Sequence, residues 1–200
     1  MSESQPTPGS IDWTPLKGGG TNFKTHTLKQ VSDQKMEFRP SLITKLFCGM
    51  FVVVGLYVPI YHHAVQDMIE SSLGPSGESV IAVGAGGLLI WGGFKFWGIL
   101  GGASVFDTSK GRFINNGREY HVASLDEVVA IQLLTERIKS SDRSVSSSSK
   151  TSFTSLELNL VKRSGKRIPV IDHSNLNTLR DDAESLSDFL GVPLWDRPDL

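Results

Sequence analysis

The segment Lys162-Arg163-Ser164-Gly165-Lys166-Arg167 sets four basic residues around a Ser-Gly turn. Each cation near an anionic bilayer surface gains about 1 kcal/mol, so such a tip suits lipid headgroups, and a lipid- or peptide-binding sensor domain at the inner membrane surface is one reading. Other residue types with chemical potential are poorly placed for it. Asp172-His173-Ser174 holds the letters of a hydrolase triad. Neighbours on an extended chain point to opposite sides, so they cannot relay a proton among themselves. His62-His63 offers two metal-binding side chains without a third at useful spacing. Cys48 is the lone cysteine, which excludes an internal disulfide and reads as a small apolar packing residue. Gly18-Gly19-Gly20 lacks the following Gly-Lys-Ser/Thr of a phosphate-cradling loop. The expectation is a non-enzymatic protein with no metal and no cofactor.

The elements around these residues are dominated by two apolar stretches. Residues 46–66 contain no Asp, Glu, Lys or Arg, and the run from Ser79 to Phe106 is broken by Lys95 before Asp107. A helix of about 20 apolar residues crosses a bilayer core. The chain therefore reads as a two-pass membrane protein. Its polar first segment, rich in Gly, Pro and Thr, does not read as a signal peptide. Lys17, Lys24, Lys29, Lys35, Arg39 and Lys45 precede the first span, and Lys110, Arg112 and Arg118 follow the second. The loop between them carries Asp67, Glu70 and Glu78 and no Lys or Arg. By the positive-inside rule both termini face the cytoplasm, at a bacterial inner membrane. Lys95, flanked by Trp91, Phe94, Phe96 and Trp97, reads as a snorkelling residue at the interface, where an acidic lipid or partner helix is a second reading.

The second span is rich in glycine. Ala82, Gly86 and Gly93 share one helical face, and Gly98 and Gly102 form a GxxxG. Small residues let helices approach closely in lipid, so these five are candidate packing positions. They would serve the chain's own hairpin, against Gly49 and Gly55, or a second copy or another membrane protein.

The expected organisation is a disordered tail (1–11), a cytoplasmic segment with short strands (12–41), a first transmembrane helix (42–66), an external loop (67–78), a second transmembrane helix (79–103) and a cytoplasmic domain (104–200). Trp13 and Phe23 are expected to anchor the N-terminal segment on that domain or at the membrane surface. Within the domain, turns at Thr108-Ser109-Lys110-Gly111 and Asn115-Asn116-Gly117 punctuate short strands. Val128–Ile138 is ambiguous in period, and its branched residues favour a strand. Phe153–Val161 alternates, and Arg167–Ile171 returns after Ser164-Gly165. Residues 140–152, rich in serine, read as a flexible loop. Leu176, Leu179, Ala183, Leu186, Phe189 and Leu190 mark one buried helical face, with Asn175 as N-cap and Gly191 and Pro193 as the stop.

Antiparallel strands closed by one C-terminal amphipathic helix resemble a pleckstrin-homology-like domain, here from Val105 to Trp195. The fold class is thus a membrane α-hairpin plus an α+β domain. The stretch ELNLVKRSGKRIPVIDH is similar to two-span bacterial membrane proteins of this layout. Two spans, Phe106-Asp107 with the Lys110-Gly111 turn, then Ala183, Leu186, Phe189, Leu190, Val192 and Pro193 resemble the photosystem I assembly factor family of chloroplasts and cyanobacteria. That resemblance implies an assembly or scaffold role. The partners expected are membrane lipids and another membrane protein or a second copy. With 20 Lys and Arg against 21 Asp and Glu, nucleic acid is not among them.

Overall fold

The computed structural model describes residues 5–16, 23–69, 77–115, 121–139, 152–173 and 176–197. The serine-rich loop, the triple glycine, Ser174 and the Asn175 cap lie outside the described residues. The chain forms two compact units: one joins residues 1–39 to 103–200, and the other is residues 40–102.

The first unit is therefore discontinuous in sequence. Its first sheet is a meander in the order β1 (His26–Ser32), β2 (Lys35–Pro40), β3 (Ser104–Asp107), β4 (Arg112–Asn115) and β5 (His121–Ser124). β2 and β3 are antiparallel neighbours, with Lys35 opposite Asp107 and Phe38 opposite Ser104. Two strands that the second unit separates in sequence thus share one ladder. Glu37 sits buried between Lys35 and Arg39 on β2, 2.6 Å from each cation. Burial pushes its carboxyl up, but hydrogen bonds and charge from Lys35 and Arg39 prevail and hold it below the ordinary value.

A short 3-10 turn, Leu125–Glu127, leads into the second sheet. That sheet has the order β8 (Arg167–His173), β7 (Ser152–Lys162), β6 (Val128–Lys139) and β9 (Leu194–Arg197). β6 is a strand, as its branched residues predict. Gly165 adopts φ 78° in the β7–β8 turn, a conformation that side chains with a Cβ rarely take. Helix α3 (Leu176–Leu190), numbered after the two helices of the second unit, ends at Gly191 with φ 65°. The following segment does more than pack back: β9 runs parallel to β6, with Ile131 opposite Leu194. A parallel neighbour needs a crossover, and α3 provides it.

One core fills this unit. Phe38, Phe106 and Phe113 from the first sheet, Ile131, Leu133, Leu156, Leu158 and Leu160 from the second, and Leu179, Ala183 and Leu186 from α3 are essentially inaccessible to solvent. The expected tail ends earlier than composition suggests. Thr7–Ser10 closes a turn, and Ile11 is buried against Ala130 and Val161, because an apolar patch on the outer sheet face needs a cover.

The second unit is a hairpin of helices α1 (Leu42–Ile69) and α2 (Gly77–Leu100). Relative to the expected spans, α1 continues past residue 66, carrying His62, His63 and Asp67 as helix. α2 stops at Leu100 rather than 103, where Gly101-Gly102 weakens helix and β3 soon begins. Both helices are long and apolar enough to cross a membrane: Leu42–Val65 has mean hydropathy 2.0 and Val80–Leu100 has 1.5.

Candidate interaction surfaces

In the hairpin, three of the five predicted packing positions face the partner helix. Ala82 is buried, and Gly86 and Gly93 have no room for a side chain. A Cβ on Gly86 would lie 2.4 Å from the Gly55 carbonyl oxygen and 2.9 Å from Pro59 Cδ. A Cβ on Gly55 would in turn lie 2.7 Å from the Gly86 carbonyl oxygen. Pro59 explains why this crossing lies here. It has no N–H, so the Gly55 carbonyl, four residues before it, lacks its usual helical donor. That carbonyl is the group turned towards Gly86, where a weak Cα–H donor can approach it. Lower down, a Cβ on Gly93 would lie 3.0 Å from the Cys48 carbonyl oxygen. Phe47, Phe51 and Phe96 close the interface with ring centroids 5.3–5.5 Å apart.

The expected GxxxG does not contribute in the same way. A Cβ on Gly98 would have nothing within 4 Å, and Gly102 lies beyond the end of α2. Gly49, expected as a partner on α1, is likewise open. Gly98 and Gly49 thus stand apart from the seam set by Gly55, Gly86 and Gly93. Lys95 is exposed, with Nζ 5.3 Å from the Trp91 ring centroid. The cation lies over an aromatic face, as in a cation–π pair.

The basic tip is smaller than the sequence suggests. Lys162 is paired with Glu127. Arg167 is turned inward with its side chain 7% exposed, donating to the Thr14 carbonyl at 2.8 Å and to Asp12 at 3.1 Å. Both belong to strand ends, where neighbouring carboxylates and carbonyls compete for them. Arg163 and Lys166 stay exposed on the turn, with Arg163 Nη2 3.4 Å from the Asp126 carbonyl. Among the described residues no group of His, Cys, Asp and Glu is arranged to hold a metal ion.

The N-terminal segment supplies contacts that the sequence only hints at. Trp13, an expected anchor, packs with Ile11 against Ala130, Val161, Val129 and Trp195. Its indole N–H donates to the Pro8 carbonyl at 2.8 Å. Asp12 accepts hydrogen bonds from the Thr14 N–H and hydroxyl, which hold its carboxyl below the ordinary value despite some desolvation. Glu157, Asn159 and Gln132 are buried on the same sheet face. Glu157 and Asn159 alternate with Leu156, Leu158 and Leu160 on β7, and Gln132 lies between the core residues Ile131 and Leu133 on β6, so all three face away from the core.

On α3, burial raises the Asp182 carboxyl above its ordinary value, against the attraction of Lys24 Nζ at 3.9 Å. A folded state that favours the protonated form stabilises the domain below the ordinary carboxylate range, about pH 4. That contribution fades as pH rises through the raised value. Asp182→Asn should therefore gain stability relative to wild type as pH increases above about 4, read from urea midpoints across the pH range. A constant difference at all pH values would show that Asp182 does not titrate with folding.

No family model matches the chain, and no curated protein or solved structure matches it.

Proposed function

We propose that this chain is a non-enzymatic, two-pass membrane adaptor or assembly factor, whose composite head presents interaction surfaces at the cytoplasmic side of a bacterial inner membrane. The observation that carries the reading is the surface of the hairpin. Only 17% of each apolar window is buried, whereas a core helix of a soluble protein is mostly buried. Leu42, Ile43, Val53, Ile60, Val80, Ile81, Leu88 and Phe94 all point outward with more than half of their surface exposed. An apolar surface of that extent is stable in lipid and not in water. The pairing of β2 with β3 supports the topology. Residues on either side of the hairpin share a ladder, so both ends of the hairpin must lie on one side of the membrane. The excess of Lys and Arg on these flanks favours the cytoplasmic side.

The head has the ingredients of a pleckstrin-homology-like domain: antiparallel meanders sharing a core with one C-terminal helix. The added parallel strand β9 follows the helix. On this reading the head binds protein rather than phosphoinositide, since Lys162 and Arg167, two of the four basic tip residues, are held in internal pairs. The resemblance to the photosystem I assembly factor family supports an assembly role of the same general kind. Purification of the full chain from its membrane in mild detergent should recover a second membrane protein in stoichiometric amount. Recovery of the monomer alone, across growth conditions, contradicts the proposal.

A further inference from the structure

The segment Ile11–Leu16 lies on the outer face of the β8-β7-β6-β9 sheet, and that face reads its backbone. Gln132 Nε2 donates to the Asp12 carbonyl at 3.0 Å. Arg167 donates to the Thr14 carbonyl at 2.8 Å. Glu157 Oε1 accepts from the Leu16 N–H at 2.9 Å. The contacts fall on Asp12, Thr14 and Leu16 of a segment that bends at Thr14 and Leu16. The readers are tied to one another: Asn159 Nδ2 bridges Glu157 at 2.7 Å and Gln132 at 3.3 Å, and Arg167 also reaches Gln132 at 3.3 Å.

Two further features point to a recognition site rather than a permanent seam. A sheet face covered for good is most simply apolar, because buried polar groups need partners to offset lost hydration. Beside the apolar patch of Ala130 and Val161, this face buries Gln132, Ser155, Glu157 and Asn159. Ser155 Oγ and Asn159 Oδ1, both buried, have no hydrogen-bond partner among the described residues. The segment itself is short and conformationally preset. Asp12 folds back on Thr14, whose N–H and hydroxyl both donate to its carboxylate, and Pro15 fixes the backbone that follows. Its side chains add selectivity: Ile11 and Trp13 fill the apolar patch, Asp12 meets Arg167, and Arg197 lies 5.5 Å from the Trp13 ring centroid.

We propose that this face is a peptide-recognition site for a short, bent aliphatic-Asp-Trp-Thr-Pro segment of a partner protein, and that Ile11–Leu16 occupies it in the free chain as an internal competitor. The inference deepens the adaptor reading and rests on it for the existence of a partner.

The test uses the full chain in detergent micelles and a fluorescent peptide of sequence GSIDWTPLK, with binding read by anisotropy. Trp13→Ala, which loosens the internal segment, should bind the peptide at least tenfold more tightly than wild type. A peptide with Ala in place of its Trp should bind at least tenfold more weakly. A cooperative thermal melt and an unchanged far-ultraviolet circular dichroism spectrum of Trp13→Ala certify its fold. Independently of any variant, excess peptide should speed hydrogen exchange at the Leu16 amide of the wild-type chain. No saturable binding to Trp13→Ala together with unchanged exchange at Leu16 overturns the proposal. Wild-type dimers that Trp13→Ala abolishes would also overturn it, by assigning the site to a second copy. Loss of peptide binding leaves the copurification result untouched, and failed copurification leaves peptide binding untouched, so the two readings fail separately.

Discussion

Gly86→Leu should dismantle the helical hairpin, while Gly98→Leu in the same helix should leave it intact. At Gly86 the first added carbon would lie 2.4 Å from a backbone oxygen, and the Gly55 backbone cannot swing aside as a flexible side chain would. Relief requires the helices to separate along the seam. Separation in turn would unpack Gly93 from the Cys48 backbone and pull Phe96 from Phe47 and Phe51. Overpacking of an ordered interface costs typically about 1–3 kcal/mol, and a backbone clash at a glycine crossing belongs at or above the top of that range. At Gly98 there is nothing within 4 Å of the new carbon. The measurement is unfolding of the purified chain by SDS titration, followed by helicity. The Gly86 variant should unfold at clearly lower SDS, and the Gly98 variant should match wild type. Equal behaviour of the two would contradict the seam.

Phe106→Ala should be the most damaging truncation in the head. Phe106 is fully buried, with ring centroids 4.8 Å from Phe113 and 6.4 Å from Phe38. It thereby joins β2, which precedes the hairpin, to β3 and β4, which follow it. Removing a buried phenylalanine side chain costs about 3–5 kcal/mol, against about 5–15 kcal/mol for a whole domain. The expected drop in thermal midpoint is about 10–20 °C. Val122→Ala, at an exposed position on β5, should change stability by less than about 0.5 kcal/mol. If Phe106→Ala melted like Val122→Ala, the strands before the hairpin would not be part of the head.

Local signals in the sequence carry much of this architecture. The spacing of Leu179, Ala183 and Leu186 marks the buried face of α3, and the alternation of Leu156, Leu158 and Leu160 marks β7. Both periods follow from geometry within one element. The same holds for strand character at Lys35–Arg39, but its pairing with Ser104–Asp107 is a contact across the inserted hairpin, to which no local period points. The glycine seam is legible in part. Ala82, Gly86 and Gly93 follow from helical phase, whereas Gly98 shares the composition but not the face. The significance of Pro59 lies in the carbonyl it leaves without its usual helical donor, which becomes visible only with Gly86 opposite. Arg167 misleads because charge suggests solvent, yet Asp12 and the Thr14 carbonyl draw it inward. Glu157 and Asn159 mislead in another way: alternation in β7 marks them as outward, and a distant segment buries them.

The central claim is that the hairpin crosses lipid and returns both of its ends to one head. Its most direct test is labelling by a membrane-impermeant thiol reagent, with single cysteines introduced into a Cys48→Ala background in intact cells and in inverted vesicles. Asp33→Cys, in the β1–β2 turn, and Ser164→Cys, in the β7–β8 turn, should label together from the inverted vesicles, and Ser72→Cys, between the helices, should label from intact cells. Labelling of Ser72→Cys from the same side as Ser164→Cys, or opposite behaviour of Asp33→Cys and Ser164→Cys, would contradict it.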